Sequence, residues 1–340
     1  MKKIFNLFIC LTFIICLFCL VSCRRSNLTK IRVAEVAHSV FYAPQYVALE
    51  LGYFEEEGLE IELINSNGAD KVTAALLSRD VQIGLQGPEP TIYLYNSDQQ
   101  NYLINFAQLT RTDGSFIFGR EPIENFNLSM LLGKSILGGR KGGVPEMTLE
   151  YVLKQHGLKV VRDQKDVKED EVNVRTDVAF GAMAGSFLSG EGDFTTLFEP
   201  TATELVSSNQ AYLLCSVGEL VNEVPYTSYS TTLSYYENNQ DVLEKFTRAV
   251  YRGYLFIENN SDEEVARVML KQFPDSSLED LTEVVKRYRD IDAWAKTPVF
   301  NKEGFERLMD IMEEAGELDK RVDFNQIVDI KIAEKVVNTI

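Results

Sequence analysis

Strand-like and helix-like segments alternate along residues 29–110, and this alternation restricts the chain to a small group of folds. The strand-like TKIRVAEV is followed by the helix-like APQYVALELGYF and then by LEIELI, in which apolar and acidic residues alternate. The pattern continues through GADKVTAALLSRD, VQIGLQG, PTIYLYNSD and YLINFAQLT. Because the connections are short, the sequence predicts an α/β lobe in which helices cover the faces of a parallel sheet.

A second alternation begins at KSILGG and predicts a second α/β lobe. The segment Leu76–Pro90 (LLSRDVQIGLQGPEP) is similar to Phe187–Pro200 (FLSGEGDFTTLFEP), since each passes from a helix end through a Ser turn and a strand to Glu-Pro. We place the boundary between the lobes in the polar, turn-rich stretch 119–129. After Pro225 helical patterns dominate, which predicts a helical C-terminal tail packed around the lobes.

The N-terminus has the pattern of an export signal. Lys2 and Lys3 precede the uncharged run IFNLFICLTFIICLFCLVS. This run ends in LVSC, which resembles the lipobox of bacterial lipoprotein precursors, where cleavage precedes a cysteine that is then lipidated. We therefore expect residues 1–22 to be a signal peptide and Cys23 to carry a membrane lipid anchor. The alternative is an uncleaved membrane anchor, because the run is nearly long enough to span a bilayer.

Charge and motif content argue against several functional classes. The formal net charge of −17 disfavours binding to nucleic acid. The only histidines are His38 and His156, so we expect no metal site, and no motif points to a cofactor. Neither G-x-S-x-G nor a G-x-G-x-x-G after the first strand occurs. The sequence GKS at 133–135 precedes a strand, whereas a P-loop follows one, so a nucleotide-binding loop is excluded.

Glycine, polar and aromatic residues gather at the predicted strand ends, where open α/β sheets bind their ligands. These ends carry AHSVFYAP, NSNGAD, QGPEP, QLTRTDG, GGRKGGVPE and LFEPTA. From them we predict a ligand site that contains His38, Phe41, Tyr42, Gly68, Ala69, Asp70, Gln86, Gly87, Glu89, Gln108, Arg111, Arg140, Gly142, Gly143, Phe198 and Glu199. The glycines of GGRKGG would allow backbone N–H groups to face a ligand, although the same stretch is also compatible with a simple tight turn.

Several of these residues have a purely structural alternative. Glu89 and Glu199 occupy equivalent positions in the two similar segments, which favours a shared role in the site. Each carboxylate would also be favourable as a cap on the helix that follows it, and Asp70 has the same alternative. The remaining residues with a packing or solvated-turn alternative are His38, Tyr42, Arg140 and Lys141.

The quoted segments resemble the NMT1/THI5-like, or SsuA/ThiY-like, substrate-binding proteins of bacterial ABC importers. The resemblance runs from about Thr29 to Gly316 through AHSVFYAPQYVALELGYFEEEGLEIEL, GADKVTAALLSRDVQIGLQGPEPTI, GGRKGGVPEMTLEYVLKQHGL and VPYTSYSTTLSYYENNQDVLEKFTRAVYRG. It implies a type II periplasmic-binding-protein fold, with two α/β lobes joined by a two-stranded hinge near Ile117–Pro122 and Val221–Ser230. The expected organisation is 23–119 for the first part of lobe 1, 120–222 for lobe 2, and 223–340 for the return to lobe 1 and the C-terminal helices.

The resemblance implies a lipid-anchored extracytoplasmic monomer that captures a small molecule and delivers it to a membrane permease without chemistry of its own. Asp70, Glu89 and Glu199 beside aromatic residues favour a thiamine-precursor-like pyrimidine. Arg111 and Arg140 keep open an anion such as a sulfonate, taurine or nitrate, and riboflavin is another ligand of the family. Fungal relatives are enzymes that make the thiamine pyrimidine and carry a cysteine-rich motif. No cysteine lies between Cys23 and Cys215 here, which argues against that activity.

Overall fold

The computed structural model describes residues 28–340, so the expected signal peptide and Cys23 lie outside the described residues. The strands are β1 Thr29–Glu35, β2 Leu59–Asn65, β3 Ile83–Gln86, β4 Leu103–Thr110, β5 Phe116–Gly119, β6 Lys134–Leu137, β7 Lys159–Arg162, β8 Glu171–Arg175, β9 Phe194–Leu197, β10 Tyr212–Ser216 and β11 Thr227–Thr232. The helices are α1 Ala43–Glu50, α2 Tyr53–Glu56, α3 Ala69–Leu77, α4 Glu89–Asn96, α5 Val144–Gln155, α6 Met183–Leu188, α7 Thr201–Ser207, α8 Leu233–Asn238, α9 Gln240–Asn259, α10 Asp262–Met269, α11 Leu278–Asp290, α12 Lys302–Glu314, α13 Phe324–Ile327 and α14 Lys331–Val337. None of these helices combines the length and the apolar character needed to cross a bilayer.

The first sheet has the strand order β2-β1-β3-β11-β4. β1 pairs in parallel with β2, in a register that sets Thr29 opposite Leu59. β2 is an edge strand, which explains its alternation: Leu59 is buried, whereas Glu60 and Glu62 are exposed. β11 comes from much later in the chain and lies antiparallel between β3 and β4.

The second sheet has the strand order β10-β5-β9-β6-β8-β7. Strands β9, β6, β8 and β7 are parallel to one another, whereas β5 pairs antiparallel with both β9 and β10. The central strands β6 and β9 are short, and all of β9 and the second half of β6 are buried, as expected for a sheet that is covered by helices on both faces. The two α/β lobes, the hinge and the helical C-terminal tail expected from the sequence are therefore confirmed.

Two chain segments connect the sheets, residues 111–115 and residues 217–226, and they run side by side. Val224 N–H donates to the carbonyl oxygen of Arg111 over 2.9 Å, and Val217 N–H donates to that of Ser115 over 3.0 Å. The first crossing thus lies slightly before the expected Ile117–Pro122. The predicted position of the first crossing was too late in the chain because β5 already belongs to the second sheet. The antiparallel partners of β5 are far away in the sequence, so its place in that sheet was not evident from the local pattern.

The C-terminal helices pack around both lobes. In the first lobe α9 packs against α1, and Gly253 allows a close approach, since a Cβ atom there would lie 2.1 Å from the carbonyl oxygen of Pro44. On the opposite side α11 reaches the second lobe, where Arg287 forms an ion pair with the buried Glu199. The tail therefore contributes to the interface between the lobes.

Candidate functional site

A cavity of about 350 Å³ lies between the two lobes, at the carboxyl ends of their strands. The first lobe supplies the loops that follow β1, β2 and β3, and the second lobe supplies those that follow β6, β8 and β9. The cavity is lined by Val36, Ala37, Ser39, Phe41, Tyr42, Asn67, Gly68, Ala69, Asp70, Lys71, Gly87, Glu89, Gly139, Arg140, Gly143, Val144, Pro145, Thr176, Asp177, Val178, Ala179, Phe180, Phe198, Tyr226 and Thr227. Its size is in the range of small-molecule pockets.

Most of the residues predicted from strand ends meet in this cavity. The predicted residues that line it are Phe41, Tyr42, Gly68, Ala69, Asp70, Gly87, Glu89, Arg140, Gly143 and Phe198. They come from five separate chain segments, so the arrangement depends on the closure of the two lobes. Their contact with a ligand remains a prediction.

His38 and Glu199 lie instead on a smaller neighbouring cavity of about 170 Å³. His38 Nδ1 is 2.8 Å from Glu35 Oε1, and its Nε2 is 2.8 Å from the carbonyl oxygen of Gln272. Glu199 accepts hydrogen bonds from Thr203 N–H (2.8 Å) and Thr203 Oγ1 (3.1 Å) and pairs with Arg287. Both side chains are thus occupied with neighbours inside the protein.

Four further predicted residues serve the scaffold beside the cavity. Gln86 and Gln108 are buried in the first sheet, where Gln86 accepts from Thr73 Oγ1 and Gln108 accepts from Asn301 N–H. Arg111 lies in the first crossing and pairs with Glu223 and Asp292. Gly142 does not line the cavity, and its carbonyl oxygen accepts a hydrogen bond from Tyr93 Oη over 3.0 Å. A strand end supplies structural residues as well as residues that line the cavity, and local sequence does not separate the two.

Aromatic rings form one wall of the cavity. The ring centroids of Phe41 and Phe198 are 5.7 Å apart, and those of Phe180 and Phe198 are 5.5 Å apart. Tyr226 approaches Phe41 edge-on at 5.7 Å. Phe41 is held from behind by Trp294, whose Nε1–H donates to the Phe41 carbonyl oxygen over 3.0 Å. Such a wall provides flat faces on which a planar ring can stack.

Glu89 is the most unusual polar residue of the cavity. It is the first residue of α4 and is 1% exposed, yet its Oε2 has no hydrogen-bond partner among residues 28–340. Burial raises the pKa of Glu89 to about 7, although its own backbone N–H, the Arg140 guanidinium and the backbone N–H of Val144 each lower it. Gly87 makes room for the carboxyl group, since a Cβ there would lie 2.0 Å from Glu89 Oε2. A buried carboxyl group with a free oxygen is poised to bind a hydrogen-bond donor from a ligand.

A charged pair crosses the mouth of the cavity. Asp70 lies in the first turn of α3 in the first lobe, and its Oδ1 is 4.0 Å from Nε of Arg140 in the second lobe. Both side chains are about half exposed, so this pair contributes little stability. Its position nevertheless gives the cavity mouth one acidic and one basic side.

Residues 176–180, together with Ser39, Asn67, Tyr226 and Thr227, line the cavity without having been predicted as ligand residues. In the sequence, EVNVRTDV (171–178) has the pattern of one continuous strand, so residues 176–180 were not recognised as the end of a strand. In the structure β8 ends at Arg175, and the residues beyond it are a strand end like the others. With the end of β8 placed at Arg175, the expectation that ligand sites lie beyond strand ends would have included Phe180.

No group of three or more His, Cys, Asp or Glu side chains that would hold a metal ion occurs in the part of the chain from residue 28 onward. The polar side chains that line the cavity include the carboxyl groups of Asp70, Glu89 and Asp177, the cations Lys71 and Arg140, and the hydroxyl groups of Tyr42 and Tyr226.

Comparisons with known proteins agree with this description. A family model described as NMT1/THI5 like matches residues 40–264. The chain is 38% identical over 332 residues to "Putative binding protein YtlA" of Bacillus subtilis (strain 168), and the match covers 97% of each chain.

Three solved structures have a similar fold at low sequence identity. The ligand-binding component of an ABC-type import system from Staphylococcus aureus, with zinc bound, has a TM-score of 0.69 at 12% identity, over 91% of this chain and 99% of that chain. The alkanesulfonate-binding protein SsuA from Xanthomonas axonopodis pv. citri, bound to MOPS, has a TM-score of 0.69 at 14% identity, over 89% and 99%. The desulfurization enzyme DSZB has a TM-score of 0.61 at 12% identity, over 92% and 99%. The type II periplasmic-binding-protein fold is thereby confirmed.

Proposed function

Because the chain belongs to the NMT1/THI5-like family, we propose that it is the solute-binding protein of a bacterial ABC importer. In this proposal a lipid on Cys23 anchors the protein outside the cytoplasmic membrane, the cleft captures one small molecule, and a permease receives it. The protein acts as a monomer and does not transform its ligand. The hinged lobes with a cavity between them support this role, as does the structural likeness to the import component from Staphylococcus aureus.

The ligand that we propose is a thiamine-precursor-like aminopyrimidine. The observation that carries this choice is the buried carboxyl group of Glu89, a residue that lines a cavity walled by aromatic rings and whose Oε2 lacks a hydrogen-bond partner in the described chain. An aminopyrimidine is flat, so that it can stack on Phe41 or Phe198. It also presents an amino group beside a ring nitrogen, which matches the two oxygens of a carboxyl group whose pKa is near 7.

An anionic ligand such as a sulfonate is the second candidate. It is supported by Arg140 at the cavity and by the likeness to SsuA, which is named as an alkanesulfonate-binding protein. Arg140 is already close to Asp70, however, and the buried Glu89 would repel an anion. The aminopyrimidine fits these charges better.

We expect hydroxymethylpyrimidine, the aminopyrimidine precursor of thiamine, to bind the protein with one molecule per chain and to remain unchanged. A ligand at about 100 times its Kd stabilises the folded state by about 2.7 kcal/mol, which is a shift of several degrees in Tm. Thermal unfolding and isothermal titration calorimetry should be run against hydroxymethylpyrimidine, thiamine, riboflavin, taurine, an alkanesulfonate and nitrate.

Each result of this panel decides between the proposals. A stabilisation by alkanesulfonate or nitrate alone would replace the pyrimidine with an anion. Conversion of hydroxymethylpyrimidine or thiamine, followed by mass spectrometry of the small molecule, would place the protein among the enzymes of this fold. Folded protein that binds no member of the panel would contradict the proposed ligand class.

A further inference from the structure

The C-terminal tail bridges the two lobes through the segment 314–329. On the second lobe, Lys154 Nζ donates to the carbonyl oxygen of Glu314 over 3.1 Å. On the first lobe, Asn96 Nδ2 donates to the carbonyl oxygen of Lys320 over 2.6 Å. Only a short stretch of chain separates these attachments, so an opening of the lobes has to stretch this segment or break its contacts.

Glu317 is the residue of this segment that reaches the cavity loop. Its Oε1 is 2.7 Å from Arg162 Nη1 and 3.6 Å from Lys141 Nζ, both of which belong to the second lobe. Its Oε2 would be 3.3 Å from a Cβ atom at Gly142, so the carboxylate rests against the backbone of the loop 139–143. The Glu317 side chain is 21% exposed, which shields its ion pairs partly from solvent.

The same loop is held from the first lobe as well. Tyr93 on α4 donates its hydroxyl hydrogen to the carbonyl oxygen of Gly142 over 3.0 Å. Gly142 adopts a left-handed conformation with φ of 72°, which favours glycine at this position. Gly142 itself is outside the cavity, but its neighbours Arg140 and Gly143 line it. The tail and the first lobe thus meet at the one loop that brings Arg140 to the ligand site.

We propose that Glu317 is a positioning residue of the ligand site, which together with Tyr93 clamps the Arg140-bearing loop and keeps the cleft closed. The proposal rests on the proposed function only in assuming that the cavity holds a ligand. Glu317 acts through the loop and does not touch the ligand. The clamp links retention of the ligand to the C-terminal tail, so that breaking it weakens binding without altering any cavity side chain.

Hydrogen exchange of the full-length chain in detergent, without any ligand, tests the clamp directly. We expect Glu317→Gln to accelerate amide exchange in peptides that cover residues 139–143 by about fivefold, since it removes a partly buried ion pair. Tyr93→Phe, which removes only one hydroxyl group, should affect the same peptides. Glu313→Gln is the matched control, because Glu313 lies on the same tail but pairs with Arg321 inside it.

The ligand arm of the experiment measures the Kd for hydroxymethylpyrimidine in the same variants. We expect Glu317→Gln to weaken binding by about the same factor, fivefold, and Glu313→Gln to leave it unchanged. Unaltered loop exchange in Glu317→Gln, or an equal acceleration in Glu313→Gln, would overturn the clamp. If the wild-type protein does not bind hydroxymethylpyrimidine, the proposed ligand fails, and the exchange arm alone decides on the clamp.

Discussion

At pH 8, the Glu89→Met variant is expected to be more stable than the wild-type protein and to have lost its affinity for hydroxymethylpyrimidine. The pKa of Glu89 rises from 4.5 to about 7 on folding. Between pH 4.5 and about pH 7, Glu89 is protonated in the folded protein and ionised in the unfolded chain. The free energy of unfolding therefore falls as the pH rises through this range, and it stays low at higher pH. Methionine has a similar length and no charge. The substitution therefore removes this loss, which amounts to roughly 3 kcal/mol at pH 8.

The same substitution removes the only buried carboxyl group that lines the cavity in the described chain. A bound aminopyrimidine would then leave its N–H groups unpaired in a closed cavity, which should weaken binding on the order of 100-fold. Urea unfolding at pH 5 and pH 8 measures the first effect, and calorimetry measures the second. The gain in stability should be much smaller at pH 5.

Glu204→Met provides the control for Glu89→Met. Glu204 lies in the first turn of α7, as Glu89 lies in the first turn of α4, but it does not line the cavity. We expect its substitution to leave the affinity for hydroxymethylpyrimidine unchanged. Tight binding that survives Glu89→Met would remove Glu89 from the site, and stronger binding of an alkanesulfonate by this variant would favour the anionic alternative.

Gly253→Ala is expected to destabilise the protein strongly, although alanine is the better helix former. The helix α9 would gain up to about 1 kcal/mol from the substitution if it were free. In the structure the new Cβ would lie 2.1 Å from the oxygen and 3.0 Å from the carbon of the Pro44 carbonyl group, both in the backbone of α1. A backbone cannot rotate away as a side chain can, so we expect a net loss of roughly 3 kcal/mol.

The damage should extend to ligand binding, because Phe41 and Tyr42 directly precede α1 and would move with it. Gly185→Ala in α6 is the matched control, since no atom lies within 4 Å of the added Cβ. The control should be neutral or slightly stabilising in thermal and urea unfolding. Equal stability of Gly253→Ala and the wild-type protein would show that α1 and α9 can separate without loss.

The general architecture was predictable because its signals are local. Alternation in LEIELI, helix starts at prolines, and polar residues at strand ends each depend on residues within one element. The expectation that ligand sites lie beyond strand ends therefore led to Phe41, Asp70, Glu89, Arg140 and other residues that line the cavity.

The roles of individual site residues were less predictable because they depend on distant partners. Glu89 and Glu199 occupy equivalent positions in two similar segments, but Arg287 of α11 and Thr203 satisfy Glu199, whereas Glu89 Oε2 has no hydrogen-bond partner within residues 28–340. Arg111, which was predicted as a ligand residue, does not line the cavity and pairs with Glu223 and Asp292, the latter 181 residues further along the chain. Such pairings are fixed by the folded topology, which no short stretch of sequence specifies.

The place of β11 in the first sheet has a consequence for the order in which the chain can fold during its synthesis. β11 is the only strand that joins β4 to the rest of that sheet in the described chain. A nascent chain that ends before Thr227 therefore has its first four strands, and even the whole second lobe, but lacks the strand that holds the first lobe together. The first lobe becomes complete only after the second lobe has been made, so the first lobe stays incompletely folded until late in translation.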